Sequence, residues 1–223
     1  MKYAFTLAET LITLAIIGVV AAVTIPILVN KIQDMHFKSL WKRAYSEINQ
    51  AYVAAFGEDA INVPRGADTI VKQYSTEIYY QIFSRLSDDY CVKDSPYDHA
   101  CGSYNNKYTA SPKCSPLNND KPNGTCPYNG SGGYAILRDG VKIYAHHYIW
   151  SHPEFLVDVN GTNPPNVVGR DMFIILFRGN KVIPGGAPGY ELYGCDKSVA
   201  SHTAYYGADR MSGSGCGYKY LYE

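Results

Sequence analysis

The hydrophobic and polar positions divide the chain into an apolar N-terminal run, an amphipathic continuation of that run, and a body of shorter segments. No residue from Thr10 to Asn30 carries a charge. A helix of that length spans roughly 31 Å, about the thickness of the hydrocarbon layer of a bilayer. The pattern therefore predicts an N-terminal helix that can cross a membrane.

Beyond Asn30 the apolar positions recur at steps of three and four residues, which predicts that the helix continues as an amphipathic segment over 30–56. Gly57 is the expected stop. Gly18 and Pro26 interrupt the apolar run, and Pro26 is expected to bend or locally melt the helix rather than end it. The amphipathic stripe consists of Phe37, Trp41, Ala44, Ile48, Ala51 and Ala55.

The body of the chain combines one helical pattern with several β-rich runs. An apolar stripe predicts a second helix over 70–87, and the β-rich runs lie within 133–184. Asp139-Gly140 between two of these runs is a strong hairpin signal. The predicted fold class is α+β, with the amphipathic half of the long helix packed on an antiparallel sheet of about four or five strands. The expected strands are Tyr134–Arg138, Val141–Ile149, Phe155–Val159, Met172–Arg178 and Lys181–Ile183.

All six cysteines lie in the C-terminal two thirds of the chain. Region 91–132 is rich in Cys, Pro, Asn, Ser and Tyr, so we expect a long irregular excursion that disulfides pin and that lies on the exposed surface. There is no CxxC pair that would favour a metal site. Six cysteines allow many connectivities. Sequence neighbours suggest Cys91–Cys101, Cys114–Cys126 and Cys195–Cys216, the last of which closes a C-terminal loop over 195–216.

A glutamate stands near the start of the apolar run. Glu9 would cost about 2.5 to 3.5 kcal/mol inside a bilayer, so it requires a reason. An alternative interpretation of the run is a cleaved secretory signal, with Lys2 as its basic start and Val20-Ala21-Ala22 as the peptidase site. An acidic residue gives such a signal no benefit, and the helical pattern continues past the supposed cut.

The stretch Ala4-Phe5-Thr6-Leu7-Ala8-Glu9, followed by the apolar run with Pro26, resembles the processing and assembly region of type IV pilins and of the pseudopilins of type II secretion. The resemblance implies a leader over 1–4 that is cleaved between Ala4 and Phe5, followed by N-methylation of Phe5. It also implies a membrane and filament-core helix over 5–29, a globular domain over 30–223, and an assembly role for Glu9, with Gly18 and Pro26 in the same helix. The family usually has glycine where Ala4 stands.

A second stretch extends the resemblance into the body. The run VDVNG, then PN, then G-x-D-x-F is similar to the sheet region of a pilin-like group, in which it precedes a strand and a C-terminal disulfide loop. The resemblance leaves 91–132 uncovered. The matching positions are Asp158, Asn160, Pro165, Asn166, Gly169, Asp171 and Phe173.

The resemblance gives Glu9 a purpose. Cleavage creates a positive amino group on Phe5, and methylation keeps that charge. A carboxylate in lipid is relieved when it pairs with this cation, either on a neighbouring subunit, which would fix the axial register between subunits, or on its own chain.

The implied function is that of a structural subunit of a type IV pilus-like surface filament. Its implied partners are identical subunits in a helical homopolymer, a prepilin peptidase and the bacterial inner-membrane assembly machinery. The alternatives are a periplasmic type II secretion pseudopilin, a minor pilin or adhesin that binds a surface ligand, and an ordinary secreted domain.

Composition and motifs argue against several other functions. Lys and Arg together number 20, as do Asp and Glu, so no net charge favours nucleic acid. No nucleophile-elbow, P-loop or zinc-protease motif is present, and we expect neither enzymatic activity nor a cofactor. Calcium on Asp158, Asn160 and Asp171 is the alternative, but their spacing does not fit an EF-hand. The prediction is that no metal is bound.

Overall fold

The computed structural model describes residues 6–57, 68–92, 113–115, 117, 124–125, 132–147, 153–161, 163–179, 181–189, 194–195 and 212–222. The chain divides into two bodies, Met1–His36 and Phe37–Glu223. The helices are α1 (Leu7–Phe56), α2 (Asp68–Leu86) and α3 (Cys216–Tyr222). The strands are β1 (Asp89–Val92), β2 (Lys113–Cys114), β3 (Gly124–Thr125), β4 (Gly133–Ile136), β5 (Lys142–His147), β6 (Pro153–Asp158), β7 (Met172–Arg178) and β8 (Lys181–Pro184).

Helix α1 covers both the apolar run and its amphipathic continuation, as the pattern predicts. It ends at Phe56 because Gly57 adopts a φ of 59° and donates its N–H to the Val53 carbonyl at 2.7 Å, which is a left-handed C-terminal cap. The helix continues through Pro26 without interruption. The expected local melting at Pro26 is therefore not present in the single chain.

Six antiparallel strands form the main sheet, in the order β1-β4-β5-β6-β7-β8. The α+β class and the antiparallel sheet are confirmed, but the expected four or five strands are one too few. The additional strand is β1, which pairs Asp89 with Ile136 and Val92 with Gly133. Sequence reasoning missed it because it is only 4 residues long and follows directly on α2.

Both faces of the central strands are buried. Every residue of β6 is buried, because its side chains alternate between two apolar clusters. On one face, Phe155 and Val157 pack with residues of α1 and α2. On the other face, Leu156 packs with Cys114 and Val168. Cys114 is only 1% exposed, so the expectation that region 91–132 lies outside the core is wrong at this residue.

The C-terminal segment is tied to the sheet and to α1. The predicted disulfide Cys195–Cys216 is confirmed, with an S–S distance of 2.03 Å. It leads into α3, which the sequence did not predict. The buried indole of Trp41 donates its Nε1–H to the carbonyl of Gly217 at 2.9 Å, and it stacks on Phe173 at the start of β7 with ring centroids 4.6 Å apart.

The structure tests the other two disulfide predictions only in part. Cys91 and Cys114 are each disulfide-bonded. Their proposed partners, Cys101 and Cys126, lie outside the described residues. These two pairings stay predictions.

Replacing Trp41 by phenylalanine tests this junction. The variant keeps an aromatic ring near Phe173 but leaves the buried Gly217 carbonyl without its donor and a small void beside it, so we expect a loss of about 2 to 4 kcal/mol in unfolding free energy. Urea unfolding of the detergent-solubilised chain, followed by circular dichroism, measures this loss. Lys42→Ala, one residue away and exposed, is the matched control and should stay within about 0.5 kcal/mol. Equal midpoints for the two variants would contradict the role given to the indole.

Candidate functional site

The N-terminal part of α1 exposes an apolar surface. From Leu7 to Ile32 its large apolar side chains keep between 45% and 78% of their area exposed. Among the described residues, α1 is the one helix long and apolar enough to cross a membrane, and none of its apolar window is buried inside the protein. A secretory signal near the N-terminus can meet the same requirement of length and apolarity. These features alone therefore do not separate a membrane anchor from a signal.

The threonines of this apolar surface satisfy their hydroxyl groups within the helix. Thr10 donates to the carbonyl of Leu7 at 2.8 Å, Thr13 to that of Thr10 at 2.9 Å, and Thr24 to that of Val20 at 2.9 Å. Polar groups bonded inside their own helix suit a segment placed in lipid or among other helices. Glu9 is then the charged side chain that such an environment must accommodate.

Glu9 belongs to a capping box. The N–H of Thr6 donates to Glu9 Oε2 at 2.8 Å, and the Thr6 hydroxyl donates to the same oxygen at 2.9 Å. In return, the N–H of Glu9 donates to Thr6 Oγ1 at 3.3 Å. Reciprocal bonds between a threonine N-cap and a glutamate three residues later satisfy donors at the helix start. The sequence Thr6-Leu7-Ala8-Glu9 carries the signal for this box, a threonine followed three residues later by a glutamate.

The capping box also fixes where the carboxylate lies relative to the predicted cut. Ala4 and Phe5 are outside the described residues. Thr6 follows Phe5 directly in the chain, so the box holds the Glu9 carboxylate at the second residue after the predicted cut.

Two other residues of the predicted assembly region carry no contact of this kind. Gly18 is exposed, and a Cβ placed on it would meet nothing within 4 Å. Pro26 is exposed inside the continuous helix. In the single chain their surroundings are open, so any packing role for them concerns contacts with other molecules.

The stretch from Asp158 to Phe173, which carries the second part of the resemblance, contains the β6–β7 loop. Its acidic residues shape that loop. Asp171 accepts the N–H of Asn166 at 2.8 Å and that of Val167 at 2.6 Å, one on each carboxylate oxygen. Asn166 has a φ of 51°, a left-handed conformation that asparagine tolerates. Ser115 of the excursion then pairs with this loop, donating its N–H to the Asn166 carbonyl at 2.9 Å.

Asp158 and Asp171 form a buried carboxyl pair between the ends of β6 and β7. They are 1% and 0% exposed. Burial, reinforced by the charge of Asp171, raises the pKa of Asp158 to about 8. Burial also raises the pKa of Asp171, although the N–H donors of Val167 and Asn166 oppose that change. Burial therefore favours the protonated form of Asp158.

The loop also contains the third residue of the calcium alternative. Asn160 donates its side-chain amide to the carbonyls of Asn163 at 2.9 Å and Pro164 at 3.2 Å, and its N–H lies 3.3 Å from Asp158 Oδ1. Its Oδ1 is buried and has no hydrogen-bond partner among the residues that the structure describes. Within the described ranges, no group of three or more His, Cys, Asp or Glu side chains converges as a metal site. The described bonds of Asp171 and Asn160 shape the loop.

Comparisons with protein-family models, with curated proteins and with solved structures gave no match for this chain.

The buried carboxyl pair predicts a specific pH dependence. The pKa of Asp158 is about 8 in the folded chain against an ordinary value of 3.8, so the folded state holds a proton that the unfolded chain releases. Stability therefore falls as the pH rises between these values and levels off above them. Asp158→Asn is neutral at every pH, so urea midpoints measured across this range should fall much less for the variant, which should also be the more stable protein at the alkaline end.

Asp89→Asn is the control, because it changes an exposed aspartate and leaves the pair intact. It should retain the wild-type pH slope. A wild-type slope in Asp158→Asn would contradict the assignment. Adding calcium at neutral pH should leave the wild-type midpoint unchanged, and a rise that Asp158→Asn abolishes would support the calcium alternative instead.

Proposed function

We propose that this chain is a structural subunit of a type IV pilus-like filament. As a precursor it is held in the bacterial inner membrane by the apolar part of α1. A prepilin peptidase cleaves it between Ala4 and Phe5, Phe5 is N-methylated, and the subunit then joins identical subunits in a filament on the cell surface. The globular body has no catalytic role in this proposal.

The exposed apolar surface of α1 is the observation that carries the proposal. Large side chains such as Leu7, Leu14 and Val19 are 78%, 66% and 67% exposed. An apolar surface of this extent is unfavourable in water and requires lipid or other helices to cover it. A subunit that moves from a membrane into a bundle of identical helices satisfies this requirement in both states.

Glu9 supplies the second line of support. Its two bonds from Thr6 are made by neutral donors, so they orient the carboxylate without cancelling its charge. A buried charge is best relieved by an opposite charge with good geometry. The amino group of Phe5 on a neighbouring subunit is the cation that assembly would bring to this position.

The mature N-terminus tests the processing step. Mass analysis of the chain recovered from its native membrane should show a start at N-methylated Phe5. The expected cut follows Ala4, which is small like the glycine usual in the family. A start near Val23 would instead make the chain an ordinary secreted domain with a cleaved signal and would remove the filament proposal.

Variants of the capping box separate the charge of Glu9 from its local hydrogen bonds. Glu9→Ala loses both, whereas Glu9→Gln keeps an acceptor for the two Thr6 donors and loses the charge. Thr6→Ala keeps the charge and loses the box, at a cost of about 1 kcal/mol in helix stability. We expect all three to insert into the membrane. Both Glu9 variants should lower the yield of sheared filaments by about tenfold or more, while Thr6→Ala should continue to assemble.

Filament yield is measured by electron microscopy and immunoblotting of sheared cells, and membrane insertion by fractionation of the same cells. Normal filaments from Glu9→Gln would show that the carboxylate serves only as a helix cap. Loss of filaments in Thr6→Ala, as severe as in Glu9→Ala, would point to the same conclusion.

A further inference from the structure

The C-terminal segment over 212–222 is buried at its start, although that start has no large apolar side chain. We call this segment the C-terminal strap. It packs closely against backbone, because a Cβ on Gly213 would clash with the Val168 carbonyl oxygen and one on Gly186 would clash with the Gly215 carbonyl oxygen. The first six residues of the strap are all buried, and they are Ser212, Gly213, Ser214, Gly215, Cys216 and Gly217.

Backbone hydrogen bonds connect the strap to three other parts of the body. A bond of this kind favours the docked strap by only about twofold to tenfold, because the same groups bond to water when the strap is free. The N–H groups of Leu117, Gly213 and Tyr218 donate to the carbonyls of Ser212, Gly194 and Gly185 at 2.8, 3.1 and 2.8 Å, respectively.

The strap has little apolar area to keep it docked. The large side chains of α3 that pack against the two apolar clusters, Tyr218, Tyr220 and Leu221, are only partly buried. Glycine loses more backbone freedom than any other residue when it becomes ordered, and three of the first six strap residues are glycine. The docked strap therefore depends on a constraint that limits its freedom when it is undocked.

The Cys195–Cys216 disulfide supplies that constraint. It ties the strap to a residue 21 positions earlier in the chain. A cross-link over a loop of this length favours the docked state by on the order of 100-fold. The two cysteines differ in access, because Cys216 is 0% exposed and Cys195 is partly exposed. A thiol from outside the protein therefore meets Cys195 first.

We propose that this disulfide is a redox latch: an external dithiol opens it by attacking Cys195, and opening releases the C-terminal strap while the main sheet stays folded. Among the described residues, the strap contributes no strand to the six-stranded sheet, so the strand ladders do not require it. Release removes the Gly217 carbonyl from the Trp41 indole. The partner is identified by its chemistry as a dithiol–disulfide exchange protein, and the proposal does not depend on filament assembly.

The exchange takes place in two balanced steps. A thiolate of the partner attacks the Sγ of Cys195, the bond between the two protein sulfurs breaks, and Cys216 leaves with the electron pair and takes up a proton. The second thiol of the partner then attacks the mixed disulfide and passes its proton to Cys195. Two electrons and two protons have then moved to the protein, and the partner holds a disulfide. The reverse reaction closes the latch.

Hydrogen exchange on the detergent-solubilised full chain tests the release. Cys195→Ala with Cys216→Ala produces the open state without any reductant. We expect amides of the strap to lose on the order of 100-fold in protection. Amides of β6 and β7 should remain protected by at least about 1,000-fold relative to unstructured chain, because the sheet keeps its own hydrogen bonds and core.

Tyr222→Ala is the matched control, because it trims a side chain of the strap that is 75% exposed and leaves the disulfide intact. Strap protection in this variant should change by less than about threefold. A double cysteine variant whose strap keeps the wild-type protection would overturn the latch. So would an equal loss in Tyr222→Ala, or a double variant whose sheet does not fold.

The site of attack has its own test on the wild-type chain. The folded protein is treated with reduced glutathione, exchange is stopped with acid, and the mixed disulfides are mapped by mass spectrometry. We expect glutathione on Cys195 at least about tenfold more often than on Cys216. Equal labelling of the two cysteines, or a preference for Cys216, would contradict the assignment of Cys195 as the point of attack.

Discussion

The contact on which the globular body depends is the burial of the Trp41 indole between β7 and α3. The ring stacks on Phe173, and its N–H bonds to the Gly217 carbonyl, so one side chain joins the long helix to the sheet and to the C-terminal segment. The disulfide Cys195–Cys216 anchors the same segment one residue before Gly217. An indole buried with its donor satisfied contributes both a large apolar area and a directional bond. The amphipathic part of α1 is thereby fixed to the sheet and to the C-terminal segment.

Periodicity predicted the elements that are long enough to show it. Helix α1 and the hairpin at Asp139-Gly140 were predicted because their patterns repeat over many residues or end in a turn of specific chemistry. Strand β1 and helix α3 are short, with 4 and 7 residues. Strand β1 depends on partners such as Ile136, which are distant in sequence, and α3 is held by Trp41 and Cys195. Tertiary contacts of this kind leave no local pattern.

The composition of region 91–132 gave a misleading expectation for a similar reason. Few aliphatic residues indicated an exposed excursion, yet Cys114 and Ser115 are 1% and 6% exposed. The second apolar face of the sheet requires a cover, and a disulfide-bonded cysteine can supply it as a small apolar group. Likewise, the sequence made the acidic residues of the β6–β7 loop possible ligands for calcium. The structure shows Asp171 accepting two backbone N–H groups, and only the folded loop reveals which use the carboxylate has.

The capping box gives Glu9 a local structural role, but the charge of its carboxylate still needs an opposite charge in lipid. The Thr6 donors are present in a single chain and would be equally present in a filament, so they cannot favour one state over the other. A ligand or neighbour shifts an equilibrium only by interactions that differ between the two states. The carboxylate keeps its charge within the box, and that charge remains costly in lipid. In the proposed assembly, the free energy that favours Glu9 in the filament would have to come from a group absent in the single chain, and a terminal ammonium on an adjacent subunit has the required charge. Thr6 would then contribute by orientation, because it holds the carboxylate at the start of α1.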